Sequence, residues 1–255
     1  MSDYVHGYAT EEQARLVAQA EHWREELILD GTTLAPGTRL LEVGCGVGAV
    51  LGVLGTAFPD VALAGVDVEE RQIETARAHL ASLGLEAELH VADALALPFT
   101  EASFDHVWMM WFLEHVSDPV GALREARRVL GPGGALTAIE VDYKTVWSSP
   151  PSDAFDGLFA EIARAMEAGG RSDAGSRLEG WLHEAGFASV DPGERRLRYE
   201  GEGLARQAPY VANVIESTLP AATPFLDAGL SHLRSLPETP GAAIGWVVHK
   251  AQAER

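Results

Sequence analysis

The stretch Leu40-Leu41-Glu42-Val43-Gly44-Cys45-Gly46-Val47-Gly48 decides the fold. Its apolar start reads as a buried strand, glycine at every second position from 44 to 48 reads as a tight turn, and residues 49–57 read as a helix. Lacking a Cβ, glycine takes positive φ and lets the backbone lie against a ligand, and the helix start beyond it presents unpaired N–H groups. A dinucleotide-binding turn of the form G-x-G-x-x-G cradles a pyrophosphate. Here Val50 and Leu51 follow Gly48, so the third glycine is missing, and the acid Glu42 precedes the turn. That carboxylate would repel a pyrophosphate, whereas it can accept from the ammonium group of an amino-acid-like ligand, directly or through water.

Outward from this turn the chain alternates short apolar runs with amphipathic helices. Strands are expected at residues 39–43, 61–66, 87–91, 104–109 and 135–141, and helices at 49–57, 70–83 and 119–130. Such alternation predicts an α/β architecture: a doubly wound, mainly parallel seven-stranded sheet with helices on both faces and its ligand site at the carboxyl ends of the strands. Before the turn, Thr10 and Gln13 are placed to cap a helix whose apolar positions Leu16, Ala20, Trp23 and Leu27 continue to Asp30-Gly31. After Tyr143, helices are expected near 152–168 and 176–185 and a strand near 188–199. A second helical insert follows at about 204–234, interrupted by Pro209, Pro220 and Pro224, before a last strand at 242–249. The organisation expected is one domain over 1–255, with an arm and helix (1–36), a cofactor-binding core (37–143) and a C-terminal part (144–255) whose helical inserts form a lid.

Carboxylates recur at the strand ends. Asp67, closing the second strand and followed by Val68, can accept both hydroxyls of a ribose through charge-assisted bonds. Asp93-Ala94, just past the third strand, is placed to bond an adenine amino group while aliphatic side chains sandwich the ring. Met109 to His115 carry the chain beyond the fourth strand, after Leu97-Pro98-Phe99 and Ser103-Phe104-Asp105.

Taken in order, L-E-V-G-C-G-V-G, V-D, A-D-A, L-P-F, S-F-D, F-L-E-H-V and R-V-L-G-P-G-G resemble the class I S-adenosylmethionine-dependent methyltransferase family over about two-fifths of the chain, residues 40–141. The aromatic start Y-V-H-G-Y is similar to members of the ubiquinone and menaquinone methyltransferase type. The resemblance implies that Glu42, Gly44, Cys45, Gly46 and Gly48 surround the methionine end of S-adenosylmethionine. By the same resemblance Asp67 takes the ribose, with Val68 after it also in the cofactor site, Asp93 and Ala94 take the adenine, and Met110 and Trp111 line the methionine side. S-adenosylhomocysteine would be the product. The resemblance also implies an antiparallel last strand; a long insert, about 201–241, separates that strand from the one before it here.

Acid–base candidates are few. His115 lies where the methyl group should point and could take a proton from a hydroxyl or amine, or could simply hydrogen-bond the start of the next helix. Asp142, past the fifth strand, could orient or deprotonate the acceptor, or be a loop acid. Tyr4, His6 and Tyr8 on the arm could close over the cofactor and exclude water, with Tyr8 counted among the cofactor-binding residues, or belong to a frayed terminus. Cys45 has no basic neighbour in sequence to lower its pKa and reads as small filler, and Trp147, Trp181 and Trp246 read as packing residues.

Composition narrows the setting. With 255 residues, 47% hydrophobic, the chain can bury one sizeable core, and no apolar run approaches the roughly 20 residues of a membrane span. One cysteine and a start without a basic-then-apolar leader imply a cytoplasmic protein with no internal disulfide and no metal. A net charge of −19 would repel a phosphate backbone, so the expected partner is a small-molecule methyl acceptor rather than a nucleic acid, with the protein monomeric or homodimeric. Two other readings stay open at this point: a non-catalytic adenosylmethionine-binding protein and an NAD(P)-dependent oxidoreductase.

Overall fold

The computed structural model describes residues 10–255. Its strands are β1 (Arg39–Val43), β2 (Ala62–Asp67), β3 (Ala87–Val91), β4 (Phe104–Met110), β5 (Leu130–Ser149), β6 (Ser189–Asp191), β7 (Glu194–Glu200) and β8 (Ala243–Glu254). They form one sheet in the order β3-β2-β1-β4-β5-β8-β6, with β7 also on β8. The pairs from β3 to β5 are parallel, and β8 runs antiparallel between β5 and the β6/β7 edge. Seven positions cross the sheet because β6 and β7 lie end to end along β8. Between them Gly193 takes φ +55°, where a Cβ would collide with the Lys250 carbonyl. The expected single strand over 188–199 is therefore broken by a bulge.

The helices are α1 (Thr10–His22), α2 (Ala49–Ala57), α3 (Glu70–Ser82), α4 (Pro119–Val129), α5 (Asp153–Gly169), α6 (Ala174–Glu184), α7 (Gly201–Thr218) and α8 (Leu226–Ser235). Strand alternation divides the core in two. Leu40, Trp108, Met110 and Ile139 face one layer with α2 and α3, while Leu41, Val43, Val107 and Met109 face the other with α4 and α6. The parity of β1 sends Glu42 to the α2 side. Among the described residues no helix is long and apolar enough to cross a membrane.

Several elements depart from the sequence pattern. The first helix ends at His22 and passes into a π-helical turn, Arg24–Leu29, in which the Ile28 N–H reaches the Trp23 carbonyl at 3.1 Å. Gln13, expected to cap its own helix, donates instead to Thr75 Oγ1 on α3 at 2.8 Å. β5 is far longer than 135–141, because β8 pairs with it on both sides of a bulge between Asp142 and Trp147. Pro209 does not interrupt the insert: it is exposed inside α7, and the break falls at residues 219–225.

A buried lysine fastens the π-helical turn to the sheet. Lys250 Nζ on β8 donates to the carbonyls of Leu27 (2.8 Å), Ile28 (3.2 Å) and Asp30 (2.6 Å) and to Thr32 Oγ1 (2.8 Å), above the Trp108 ring. These carbonyls are the unpaired acceptors at the end of a helical segment. Burial, with Arg195 nearby, lowers Lys250 to about 8.

Candidate active site

The chain turns outward from β1 to β2 and β3, then returns to the other side of β1 as β4 and β5. The crevice beyond the carboxyl ends of β1 and β4 is thus a topological switch point, where ligands bind in open sheets. A cavity of about 880 Å³ opens there. Glu42, Gly44, Cys45 and Gly46 line it from the β1 turn, Asp67 and Val68 from β2, Asp93 and Ala94 from beyond β3, and Met110, Trp111 and His115 from beyond β4.

The turn is held by its own geometry. Gly44, Gly46 and Gly48 all have positive φ, and a Cβ on Gly44 would collide with the Phe112 ring. Gly48 does not line the cavity; it caps α2 and packs on Ala76 of α3. Cys45 is buried, and burial first, then Glu42 and Asp67, pushes its thiol well up, so it stays protonated.

Two carboxylates bracket the turn. Glu42 is 3% exposed and accepts the Leu51 N–H at 3.2 Å; burial drives its pKa well up, with Asp67 adding to the effect and the Leu51 bond opposing it. Asp67 accepts from Gly46 N at 2.9 Å and Glu69 N at 3.0 Å, which fixes the carboxylate against the glycine loop, and burial raises its pKa too. A buried carboxyl without a cation is unfavourable as an anion, so this end of the cavity suits a positively charged ligand. Asp93 is exposed and accepts the Leu95 N–H at 2.9 Å, with the exposed apolar side chains of Val68 and Leu95 on the same wall.

Past β4 the backbone is strained. Trp111 takes φ +49°, uncommon for a bulky residue, and the next turn is pinned by Glu140 of β5. Glu140 Oε1 accepts the N–H groups of Phe112 (3.0 Å) and Leu113 (2.7 Å). Burial and the neighbouring Glu114 push Glu140 well up in pKa. Glu114 Oε1 lies 3.3 Å from His115 Nε2 and 3.4 Å from the Tyr143 hydroxyl. Sequence reasoning gave Glu114 and Glu140 no role, because Tyr143 and the N–H groups of Phe112 and Leu113 meet them only in the folded chain.

The other predicted residues are not brought here. Asp142 accepts from Lys144 N at 3.0 Å and lines a separate cavity with Trp147 and His249. Its strand parity points it away from the cleft, unlike Val141 and Tyr143 on either side. Tyr4, His6 and Tyr8 lie outside the described residues. Trp246, read as packing, is 9% exposed and forms part of the cavity wall with Trp23 and Tyr210.

Residues 41–138 match the family described as a methyltransferase domain. Over 189 residues the chain is 32% identical to demethylmenaquinone methyltransferase of Staphylococcus aureus, covering 73% of this chain and 75% of that one. The chain belongs to the class I S-adenosylmethionine-dependent methyltransferase family. It is also 37% identical over 166 residues to 27-O-demethylrifamycin SV methyltransferase of Amycolatopsis mediterranei, covering 64% of this chain but only 57% of that relative. Among solved structures, the [4+2]-cyclase SpnF superposes with a TM-score of 0.60 at 23% identity, over 98% of this methyltransferase-family chain and 83% of the cyclase, a likeness of fold.

Proposed function

We propose that this protein transfers a methyl group from S-adenosylmethionine to an O, N or C atom of a small molecule. The observation that carries the reading is the continuity of the cleft: one cavity runs from the carboxylates Glu42 and Asp67 to the lid helices α5 and α7. The residues fit the cofactor. Glu42 offers a buried anion to its ammonium group, Gly44 leaves room for close approach, Asp67 suits the ribose hydroxyls, and Val68 and Leu95 with Asp93 suit the adenine. The bound cofactor supplies an electrophilic methyl group on a cationic sulfur.

What the chain contributes is positioning and a proton acceptor. The walls align the acceptor atom for in-line displacement: the bond from methyl to sulfur breaks as the bond from methyl to acceptor forms, leaving S-adenosylhomocysteine. A proton carried by the acceptor passes to His115, whose imidazole faces the Glu114 carboxylate. Asp142 has no part in this step, because it lines a different cavity. The protein acts as a single cytoplasmic domain, monomeric or homodimeric, without nucleic-acid partners: residues 37–143 hold the cofactor and 144–255 supply the lid. That relatives are named for demethylmenaquinone and 27-O-demethylrifamycin SV supports a small-molecule acceptor. The buried Glu42 counts against a pyrophosphate and so against the NAD(P) reading.

Calorimetric titration with S-adenosylmethionine tests this, repeated with Asp67→Ala and with NADH. Saturable binding of the methyl donor, weakened at least about tenfold in the variant and absent for NADH, is expected, since hydrogen bonds to a charged group contribute about 1.5–3 kcal/mol. Tight NADH binding without methyl-donor binding would overturn it.

A further inference from the structure

We propose that the methyl acceptor is an uncharged, largely apolar molecule, held in the part of the cavity lined by a tryptophan wall (Trp23, Trp111 and Trp246) and by Tyr210, Val211 and Ile215 of α7. This rests on the methyl-transfer reading and names the substrate class of that same cavity.

Charge is the first support. Among the described residues lining the cavity there are five carboxylates, Glu42, Asp67, Glu69, Asp93 and Glu114, against one guanidinium, Arg15. Arg15 is already matched by both oxygens of Glu12, at 2.7 and 2.6 Å, and donates to Gln19. A phosphate or carboxylate acceptor would enter an anionic, partly desolvated space with its charge opposed rather than paired. A cationic acceptor would be drawn toward the cofactor carboxylates, which the donor's own charge satisfies, and would meet only Glu114 at the lid end.

Chemistry of the walls is the second. Away from the cofactor residues the surface is aromatic and aliphatic, with α5 adding Phe155, Phe159 and Ile162. Its polar groups are largely used internally. The Tyr210 hydroxyl accepts from Trp23 Nε1 at 3.1 Å, and its ring stacks on His22 at 3.6 Å; burial pushes this hydroxyl up to about 12, so it stays neutral. Trp23 meets Trp111 and Trp246 edge to face, at 6.3 and 6.1 Å, so the three indoles brace one another as a preformed wall. Such walls favour apolar area and offer a charged group no counter-ion beyond Glu114.

A matched set of probes decides it: 1-naphthol, 1-naphthyl phosphate and 1-naphthylmethylammonium share a ring system and differ in charge. Each is titrated calorimetrically into full-length protein saturated with S-adenosylhomocysteine, whose own titration is recorded first. The expected result is that 1-naphthol binds at least about tenfold more tightly than either charged probe. Val211→Trp and, separately, Ile215→Trp, which fill the space in front of α7, should each weaken naphthol at least about tenfold, and a parallel S-adenosylhomocysteine titration confirms that each variant is folded. Equal or tighter binding of a charged probe, or no naphthol binding up to about 1 mM, would overturn the substrate class while leaving the methyltransferase reading in place. Absence of S-adenosylhomocysteine binding would instead sink the reading beneath it.

Discussion

At the residue scale, the cofactor contact proposed for Glu42 is set against the stability of the fold. Burial raises its pKa in the folded protein, so between the ordinary carboxyl value and the raised one the folded chain holds a proton that the unfolded chain has released. Stability therefore falls as pH rises through that window. Glu42→Gln should raise the melting temperature of the cofactor-free protein by a few degrees near neutral pH and flatten its pH dependence. A cationic ligand favours the ionised carboxyl, so S-adenosylmethionine affinity in the unsubstituted protein should climb with pH through the same window and level off above it, with a proton released on binding. In Glu42→Gln that slope should vanish and affinity should drop about tenfold or more, a charge-assisted bond having been lost. Calorimetry in buffers of different ionisation enthalpy reads both effects. Gly44→Ala should be worse for the fold itself: positive φ and the collision with Phe112 together cost about 2–4 kcal/mol, measurable by urea denaturation. The placement of Glu42, Gly44 and Asp67 at the cleft was legible in the sequence because it follows from strands running into turns. Glu140 was not, because the N–H groups it holds lie 28 and 27 residues away in the turn beyond β4.

At the element scale, local signals located the helices and strands of the parallel half closely: β1, β3 and α2 begin and end where the pattern places them. Their boundaries are marked by local residues: glycine turns, Asp118-Pro119 at the start of α4 and alternating apolar positions. The antiparallel half was less legible, since β5 owes its length to β8 across the sheet, and no local signal distinguishes its Gly131–Gly134 start from an ordinary turn. The π-helical turn has the same kind of cause. Lys250, more than two hundred residues away in sequence, satisfies its terminal carbonyls, and the turn delivers Trp23 and Leu27 to the cavity wall. Lys250→Met keeps the length of the side chain but removes the donor shared by those carbonyls, of which Ile28 keeps a bond from Thr32 Oγ1. The variant should lose about 2–4 kcal/mol in chemical denaturation. Amide exchange at residues 24–32 should accelerate more than exchange in β1. A uniform loss of protection would mean that the lysine stabilises the sheet and not the turn.

At the scale of the whole molecule, charge and cavity act on the same ligand. The net charge of −19 creates a negative field around the mouth of a cleft that is itself lined with carboxylates. S-adenosylmethionine and S-adenosylhomocysteine share every group that Glu42, Asp67 and Asp93 would hold, and they differ by one methyl group and one positive charge on sulfur. The field should therefore discriminate between donor and product even where the contacts do not. Screening shortens its reach from about 10 Å at 0.1 M salt to about 3 Å at 1 M, which removes the contribution of distant carboxylates while sparing the buried pair. Raising sodium chloride across this range should weaken the donor more steeply than the product, and the difference should reside in the association rate, where long-range attraction acts. Stopped-flow quenching of the cavity tryptophans, followed for both ligands at several salt concentrations, separates the two rates. If the salt slopes for donor and product coincide, the distant charges do not reach the cleft.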